Sequence, residues 1–384
     1  MVVERELIDL VCQLVQIDSV NPWLVKSGVG EAEVVRTIAA WLEPYGLQIH
    51  LDEAEEGRFN MVARLPGSGA GKSLCLYAHT DTVGYDLWRE RALHPRVDGD
   101  RLFGLGAADD KGHCAAAMLA LKSIVEKQVR LGGDLWLALL IDEEGTSSGA
   151  FDFVKRYKPD GLVVLEPFGL GSITVTHQGF GWLDIIVKGR AAHGSAPEAG
   201  IDSILHMAEV ISRLGQLDRL KYAPTAHPLN GKIVFHTGVI SGGTDYATYP
   251  AECVLGIEIG TQPGESIQDR LSEIQAIFEE VKGLHPNFEG HVQVRLARDP
   301  FQARDHEALW DILASQVEVV TGEKVRATGE NAWGDAAIFQ EAGIPTLMLG
   351  AKGDNLHAPD EWVSISELHK LIEIIEATAI RFCS

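Results

Sequence analysis

Short apolar runs that alternate with segments of helical period most constrain how this chain folds. The runs cover residues 74–78, 135–141, 162–165 and 346–349, and the helical segments cover 4–16, 30–45, 113–126 and 364–380. Because each run is short and apolar throughout, it predicts a strand that is buried on both faces. The alternation predicts an α/β domain with a mostly parallel sheet flanked by helices.

The middle of the chain follows a different pattern. Its predicted strands cover 182–187, 233–239, 251–259 and 291–296, and its predicted helices cover 203–214 and 266–281. The order strand, helix, strand, strand, helix, strand is typical of a ferredoxin-like α+β unit. We therefore predict a discontinuous α/β domain, 1–178 and 297–384, into which an α+β domain, 179–296, is inserted.

Composition excludes some classes of partner. The chain has 33 Lys and Arg against 55 Asp and Glu, a net charge of −22. Nucleic acid and anionic membrane attract basic surfaces, so we expect neither as a partner. The N-terminus has no signal-peptide pattern, and the longest apolar run is too short to cross a bilayer. Five scattered cysteines without a CxxC pair favour a reducing cytoplasm over a disulfide framework.

Groups that bind metals or transfer protons follow the predicted buried strands. His79 and Asp81 end the first strand, an acidic triplet ending in Glu143 and Glu144 follows the second, and Glu166 follows the third. Sites of open parallel sheets lie beyond the carboxyl ends of the strands, so we expect these side chains to meet. Because His79 and Asp81 share one face of an extended strand, they suit an imidazole that donates to a carboxylate.

A glycine-rich segment, 104–112, precedes the helix at 113–126 and contains Asp109 and Asp110. Such a loop could hold phosphate at the start of a helix. Two adjacent carboxylates would repel phosphate, however, and the spacing matches neither a Walker loop nor a dinucleotide fingerprint. We interpret Asp109 as a metal-bridging carboxylate, and we expect His357 on a loop above the same sheet edge.

Each of these residues by itself is compatible with an ordinary solvated turn or a surface histidine. The combination favours a metal centre, because clustered carboxylates repel one another unless a cation neutralises them. Histidines and carboxylates without cysteine suit Zn²⁺, Co²⁺ or Mn²⁺. Five ligands, one of them bridging, are what two such ions need.

These residues resemble the linked motifs of the dinuclear zinc amidohydrolases, the family of acetylornithine deacetylase, succinyl-diaminopimelate desuccinylase, aminoacylase and glutamate carboxypeptidase. The resemblance covers nearly the whole chain. The motifs are His79-Thr80-Asp81, Asp109 and Lys111 within 104–112, Asp142-Glu143-Glu144, Glu166-Pro167, Ala192-His193 with Pro197 and Gly200, and His357 with Asp360-Glu361. Their order and spacing identify the chain as similar to this family throughout.

The resemblance implies that two divalent ions, Zn²⁺ with Co²⁺ or Mn²⁺ as alternatives, are bound by five of these residues. The ligands would be His79 and Glu166 for one ion, Glu144 and His357 for the other, and Asp109 between them. Asp81 would orient His79. Glu143 would act as general base, taking a proton from water and passing it to the leaving nitrogen.

The resemblance also implies that the inserted domain serves as a lid and a dimerisation domain. In relatives with such a domain, the histidine at the position of His193 reaches the partner subunit's site and helps to stabilise the oxyanion. We therefore expect a homodimer, a domain closure, or both. We also expect a cis peptide bond after the bridging aspartate, between Asp109 and Asp110.

Two positions depart from the family pattern. Members that hold a free α-carboxylate often carry an Asn and an Arg in the inserted domain, where this chain has Ala247 and Gly260. Neither replacement donates a side-chain hydrogen bond. Either Arg190, Arg326 or Lys352 supplies a substitute, or the substrate lacks a carboxylate at that position.

The leading hypothesis is metal-dependent hydrolysis of an amide bond in a small-molecule substrate, by deacylation of an N-acyl amino acid or a related amine. The glutamate at position 166 is more typical of the deacylase and carboxypeptidase branch than of the dipeptidase and aminopeptidase branches. A carboxypeptidase or a dipeptidase is the alternative within the family. A catalytically silent metal-binding interaction protein is the remote alternative, since every implied ligand and the implied base Glu143 are present.

Overall fold

The computed structural model describes residues 2–384 of the chain, with side chains from residue 5 onwards. The chain divides into two compact units. The first comprises the residues up to Val175 together with 303–327 and 334–384, and the second comprises 176–302 and 328–333. The predicted insertion, 179–296, therefore stops short of both ends of the second unit and omits its segment 328–333.

Every predicted helix is present, and four further helices, those at 89–92, 148–156, 307–321 and 336–341, were not predicted. The helices are α1 (Val2–Val15), α2 (Ala32–Leu42), α3 (Arg89–Ala92), α4 (Lys111–Glu126), α5 (Ser148–Arg156), α6 (Ser203–Leu217), α7 (Ile267–Leu284), α8 (Glu307–Thr321), α9 (Ala336–Glu341) and α10 (Ile365–Phe382). The helix predicted at 30–45 ends at Leu42 and continues as a 3₁₀ turn, because Pro44 lacks the backbone donor that an α-helix needs. Within the described residues, no helix combines the length and the apolarity that crossing a membrane requires.

Strands include all of the predicted runs and several short pairs besides. The strands are β1 (Gln48–Glu55), β2 (Arg58–Leu65), β3 (Leu74–His79), β4 (Arg96–Asp98), β5 (Arg101–Phe103), β6 (Leu135–Leu140), β7 (Gly161–Val164), β8 (Ser172–His177), β9 (Gly179–Lys188), β10 (Ala226–His227), β11 (Gly231–Lys232), β12 (Phe235–Gly242), β13 (Glu252–Thr261), β14 (Glu289–Arg298), β15 (Phe301–Gln302), β16 (Arg326–Glu330), β17 (Thr346–Met348), β18 (Gly353–Asp354) and β19 (Trp362–Ser364). The four apolar runs are confirmed as β3, β6, β7 and β17.

The first unit is built on a sheet with the order β1-β2-β6-β3-β7-β17-β8. Its centre is parallel, from β6 through β3 and β7 to β17. The pairs β1–β2, β2–β6 and β17–β8 are antiparallel. The predicted parallel sheet is confirmed at its centre. The β1–β2 hairpin was not predicted, because β1 is a half-exposed, charged edge strand without a buried pattern.

Helices α1, α4 and α10 cover the core of the first unit. Helix α4 contacts α1, α10 and strand β3. It is buried along most of its length, and its Ala115-Ala116-Ala117 run is fully buried. Small side chains allow this close packing of helix against sheet. A second, small antiparallel sheet, β18-β19-β5-β4, fixes the segment that contains His357 beside the strand that precedes the glycine-rich loop.

The second unit has an antiparallel sheet with the order β12-β13-β9-β14 and the two helices α6 and α7. The chain order of β9, α6, β12, β13, α7 and β14 confirms the predicted strand and helix sequence. Every second residue of β9 is buried, which is the pattern of a sheet with one covered face. The core of this unit is formed by apolar residues of β9, β13, α6 and α7.

Candidate metal centre

The predicted ligands gather at the carboxyl end of the parallel strands in the first unit. His79 is the last residue of β3, Glu144 lies just after β6, and Glu166 lies just after β7. Asp109 lies two residues before α4 begins. Since neighbouring parallel strands end at the same sheet edge, the pairing of β6, β3 and β7 brings these groups together.

Asp109 lies between two histidines. Its Oδ1 is 2.7 Å from His79 Nε2, and its Oδ2 is 3.3 Å from His357 Nε2. His357 Nε2 is also 2.9 Å from Glu144 Oε1. The ligand atoms of His79, Asp109 and Glu144 all lie within 4.8 Å of one another. One carboxylate that presents an oxygen to each of two histidines has the arrangement of a bridging ligand.

Glu166 belongs to a second group, in which the ligand atoms of His79, Asp110 and Glu166 lie within 4.8 Å of one another. Asp110 is engaged by the protein itself through Oδ2, which accepts from His79 N at 3.1 Å. Asp109 is therefore the better bridging candidate of the two. The peptide bond between Asp109 and Asp110 is cis, as expected.

Asp81 contacts both the histidine and the acidic turn. His79 Nδ1 lies 3.1 Å from the main-chain oxygen of Asp81 and 3.4 Å from its Oδ1. The Asp81 carboxylate accepts from Glu143 N and Glu144 N, each at 3.1 Å. With Nδ1 held in this way, His79 presents Nε2 to the cluster.

The cluster is electrostatically incomplete. Burial raises the pKa values of Glu144 and Glu166, and the carboxylate of Asp109 raises both further. Burial would also raise the pKa of Asp109, but hydrogen bonds from His357 and His79 hold it below its usual range. Hydrogen bonds to Asp109 and Glu144 raise the pKa of His357 to about 11. In the described part of the chain, the ion-pair partners of Asp109 and Glu144 are histidines, so this oxygen-and-nitrogen donor set fits divalent cations.

Glu361 holds the loop that presents Asp109. Its buried carboxylate accepts from Gly106 N at 3.1 Å, Ala108 N at 2.9 Å and Asp109 N at 3.0 Å. Burial raises the pKa of Glu361 to about 8, with Asp109 adding to the rise. Glu361 belongs to the motif that contains His357, but no role was predicted for it. Its position four residues after His357 does not indicate these contacts.

His113 joins the Asp109 loop to the end of β17. Its Nε2 accepts from Ala351 N at 2.9 Å, and its Nδ1 lies 3.0 Å from Ala108 O. Burial lowers the pKa of His113 to about 4, which keeps the ring neutral for these two bonds. A Cβ at Gly350 would lie 2.1 Å from Glu166 O, so this close approach requires glycine.

Tyr77 and Asp335 lie behind Glu143. Tyr77 Oη donates to Asp335 Oδ2 at 2.7 Å, and both side chains are fully buried. A Cβ at Gly334 would lie 3.8 Å from Glu143 Oε1, which places the Gly334-Asp335 segment beside the expected base. Burial raises the pKa of Glu143 well above its usual range, and Glu166 and Asp335 add to the rise. Sequence reasoning missed this pair because its members are far apart in the chain.

His193 belongs to the second unit, where it is exposed on a loop. Its Nδ1 lies 2.8 Å from Ser195 Oγ, and the residue forms an isolated bridge with Thr248. Arg190, one candidate for a substitute carboxylate-binding group, is also exposed and donates through Nε to Ala199 O at 2.6 Å. The structure therefore gives His193 an accessible ring within its own unit.

The two positions that depart from the family pattern have clear surroundings. Ala247 N donates to Asp245 Oδ1 at 2.7 Å in an exposed turn. A Cβ at Gly260 would lie 2.5 Å from Gln178 Oε1. Gln178 is itself engaged, because its Nε2 donates to Lys232 O at 2.6 Å. A buried glutamine thus fills the space that a side chain at position 260 would need.

Two histidines and a set of carboxylates, gathered at the carboxyl edge of a parallel sheet, form a donor set that suits divalent metal ions. The sequence profile described as "Peptidase family M20/M25/M40" matches residues 75–381. The chain therefore belongs to this family of hydrolases. Membership and donor set together confirm the expected activity class, which is metal-dependent hydrolysis of amide bonds.

Two acetylornithine deacetylases are similar in sequence to this chain over nearly the whole length of both proteins. Acetylornithine deacetylase of Proteus mirabilis (strain HI4320) is 30% identical over 390 residues, which cover 98% of this chain and 96% of that protein. Acetylornithine deacetylase of Aliivibrio fischeri (strain MJ11) is 29% identical over 379 residues, 97% of each chain.

Solved structures share the fold. A tripeptidase from Staphylococcus aureus has a TM-score of 0.84 at 22% identity, covering 99% of this chain and 98% of that one. A dinuclear metal-binding peptidase of the M20 family from Bacillus subtilis has a TM-score of 0.74 at 16% identity, covering 99% and 98%. At these identities the likeness shows that the fold is shared.

Proposed function

We propose that this chain deacylates an N-acyl amino acid or a closely related N-acyl amine. The observation that carries the proposal is the position of Asp109 between His79 and His357, with Glu144 and Glu166 within reach of the same centre. The similarity to acetylornithine deacetylases along nearly the full chain supports deacylation within the family.

In this proposal two divalent ions, Zn²⁺ in the simplest case, are held at the cluster. His79 and Glu166 would hold one ion, His357 and Glu144 would hold the other, and Asp109 would be shared between them. When bound, the ions polarise the scissile carbonyl and lower the pKa of the attacking water. The donor set, two imidazoles and three carboxylates without a thiolate, suits Zn²⁺, Co²⁺ or Mn²⁺ better than soft ions such as Cu⁺.

Glu143 is the general base. Its carboxylate takes a proton from water as the oxygen–carbon bond forms, and it returns that proton to the leaving nitrogen as the carbon–nitrogen bond breaks. The products are a carboxylate and an amine. Burial first, and then Glu166 and Asp335, raise the pKa of Glu143, which suits a carboxylate that must hold a proton between the two steps. The bond from Glu143 N to Asp81 fixes the turn on which the base lies.

A homodimer through the second unit completes the proposal. Strand β12 is an edge strand, and its Val239 and Ile240 are 70% and 55% exposed. Helix α6 exposes Leu205. An unpaired edge with exposed apolar side chains fits pairing with a second copy of the chain. In the dimer, His193 would stabilise the oxyanion at the partner subunit's site. The five free cysteines are compatible with the proposed cytoplasmic location.

Mixing two inactive variants tests the role of His193. Glu143→Ala lacks the base, and His193→Ala lacks the proposed oxyanion group. If His193 acts across the dimer, a refolded equimolar mixture regains activity because half of the dimers are hybrids with one intact site. Activity that never rises above that of the separate variants would contradict action across the dimer.

A substrate panel tests the function itself. The metal-loaded protein should hydrolyse N-acetyl amino acids faster than matched dipeptides, and chelation should abolish the activity. Glu143→Gln serves as the control for a contaminating hydrolase, since it should lose turnover on every substrate. Faster cleavage of dipeptides would favour the peptidase alternative. No turnover on either class with metal bound would contradict both.

A further inference from the structure

A polar network lies behind the acidic turn, residues 142–148, which carries Glu143 and Glu144. Asp142 starts this turn with a left-handed backbone, φ +68°, and a fully buried side chain. Its Oδ2 accepts from Thr146 N at 3.1 Å and from Thr146 Oγ1 at 2.6 Å. Asp142 therefore closes the acidic turn on itself, and whatever fixes Asp142 also fixes the two glutamates.

Asn21 joins Asp142 to Asp81. Its Nδ2 donates to Asp81 Oδ2 and to Asp142 Oδ1, each at 2.8 Å, and the side chain is fully buried. Asp81 in turn accepts from the main chain of Glu143 and Glu144. The Asn21 amide thus lies between the carboxylates of Asp81 and Asp142, which would otherwise repel each other. It links the start of the acidic turn to the end of β3.

Gly145 makes room for this amide. A Cβ at position 145 would lie 2.5 Å from Asp142 Oδ1 and 2.8 Å from Asn21 Nδ2. Both neighbours are held by other hydrogen bonds and cannot move away without breaking them. The glycine that follows the two glutamates is therefore explained by the network rather than by the metal ligands.

Arg58 supplies the positive charge of the network. Its Nη1 and Nη2 both lie 3.2 Å from Asp142 Oδ1. Glu31 fixes the guanidinium by accepting from Nε at 2.9 Å and from Nη2, and Glu55 accepts from Nη1 at 2.6 Å. The Glu31 side chain is fully buried and that of Arg58 is 11% exposed. A planar guanidinium held by a buried carboxylate is a rigid support for Asp142.

We propose that Asn21 and Arg58 are positioning residues of the metal centre, acting through Asp142 and Asp81. Neither residue is among the proposed metal ligands. Both hold the acidic turn, which would place Glu144 at one ion and Glu143 beside the attacking water. The inference rests on the roles proposed above for these two glutamates. Because Glu144 is the ligand on the turn, the network supports one of the two ions more than the other.

Arg64 provides a matched control on the same strand, β2. It pairs with Asp134 at the opposite end of β6, where its Nε and Nη2 lie 2.7 Å and 2.5 Å from Asp134 Oδ2. Arg64→Gln removes an arginine–aspartate pair of the same kind from the same sheet. It leaves the acidic turn untouched.

The test compares Asn21→Leu, Arg58→Gln and Arg64→Gln with the unaltered protein. Zn²⁺ binding to the metal-free proteins is measured by calorimetry, kcat and KM by steady-state hydrolysis, and thermal stability by circular dichroism. We expect Asn21→Leu and Arg58→Gln to weaken one of two Zn²⁺ binding steps by about 10–100-fold and to lower kcat by a similar factor with little change in KM. Arg64→Gln should lower thermal stability alone.

Arg58→Lys keeps the inference testable if Arg58→Gln does not fold. It retains the charge but loses the planar fork, so its weaker Zn²⁺ step and its kcat should fall between those of Arg58→Gln and the unaltered protein. Variants that melt earlier yet bind both ions and turn over like the unaltered protein would overturn the inference and leave the proposed function standing. Failure of the unaltered protein to bind Zn²⁺ would overturn both.

Discussion

Each unit of this chain buries a cluster of ionisable side chains, and the two clusters are built differently. In the second unit, Arg270 is fully buried, pairs with Glu265, and has its Nη1 3.0 Å from Glu273 Oε1. Its Nε donates to Gly260 O at 2.9 Å, and its guanidinium lies 4.9 Å from the Tyr222 ring centre. Charge and hydrogen-bonding capacity are satisfied within the protein.

The cluster of the first unit is not satisfied in this way. Glu166 is buried, Glu143 and Glu144 are partly buried beside it, and desolvation and neighbouring carboxylates raise the pKa values of all three. A buried acidic cluster whose near partners are histidines gains most from added cations. Burial of charge alone therefore does not mark a functional site, whereas an excess of carboxylates over the cationic groups that face them does.

The largest expected effect comes from removing the base. Glu143→Gln should lower kcat by about 10²–10⁴-fold while both ions stay bound, because the variant loses proton transfer and keeps the ligands. Glu273→Gln removes a buried acid from the other cluster and should leave kcat within about twofold. Steady-state kinetics with metal analysis measures both. Loss of metal from Glu143→Gln would show that this residue is a ligand instead.

Breaking the satisfied cluster should affect stability and not chemistry. Arg270→Met leaves Glu265 without its cation and Glu273 with Lys221 alone, and breaking a buried pair in this way costs at most about 3–5 kcal/mol. Urea denaturation measures the loss, and metal content should stay unchanged. Loss of bound metal from folded Arg270→Met would contradict the prediction that the two clusters act independently.

Acid should destabilise the first unit through His113. Its folded pKa of about 4 lies below the ordinary value of 6.5, so the unfolded chain binds more protons between these values. Neutral His113 therefore contributes about 3 kcal/mol to the free energy of unfolding above pH 6.5. This contribution is lost as the pH falls towards 4. Denaturation of metal-free protein across this range, compared with His113→Gln, isolates the contribution. Equal slopes for the two proteins would exclude it.

A smaller effect is expected from metal binding on stability. Zn²⁺ at 100 times its dissociation constant should stabilise the folded protein by about 2.7 kcal/mol per site. His357→Ala should reduce this gain, because one ion loses a ligand, whereas Arg270→Met should retain it. Thermal denaturation with and without Zn²⁺ provides the measurement, and an equal gain in His357→Ala would contradict the proposed ligand set.

Much of the fold was predictable because apolar period and strand length are local properties. The runs that became β3, β6, β7 and β17 are visible without any knowledge of contacts, and parallel pairing then predicts that their ends meet. The hairpin of β1 and β2 was missed because its exposed, charged edge strand lacks a buried pattern. The segment 328–333 was assigned to the wrong side of the boundary for a similar reason, since nothing in its composition indicates the second unit.

Supports of the site were less predictable than its ligands. Asn21 contacts Asp81 across 60 positions and Asp142 across 121, and Tyr77 contacts Asp335 across 258. The proposed metal ligands can be recognised in the sequence, because they are histidines and acidic residues at strand ends. Asn21, Tyr77 and Asp335 are ordinary polar residues whose role depends on their tertiary contacts. A single sequence contains no periodicity that links such distant positions.

The number of Zn²⁺ ions bound per chain tests whether Asp109 is shared by two ions. The unaltered protein and Asp109→Asn would be dialysed against Zn²⁺ and analysed for metal content per chain, with Arg270→Met as the control for a disturbed but unrelated cluster. We expect two ions per chain for the unaltered protein and for Arg270→Met, and at most one for Asp109→Asn. No bound Zn²⁺ in the unaltered protein, or two tightly held ions in Asp109→Asn, would contradict it.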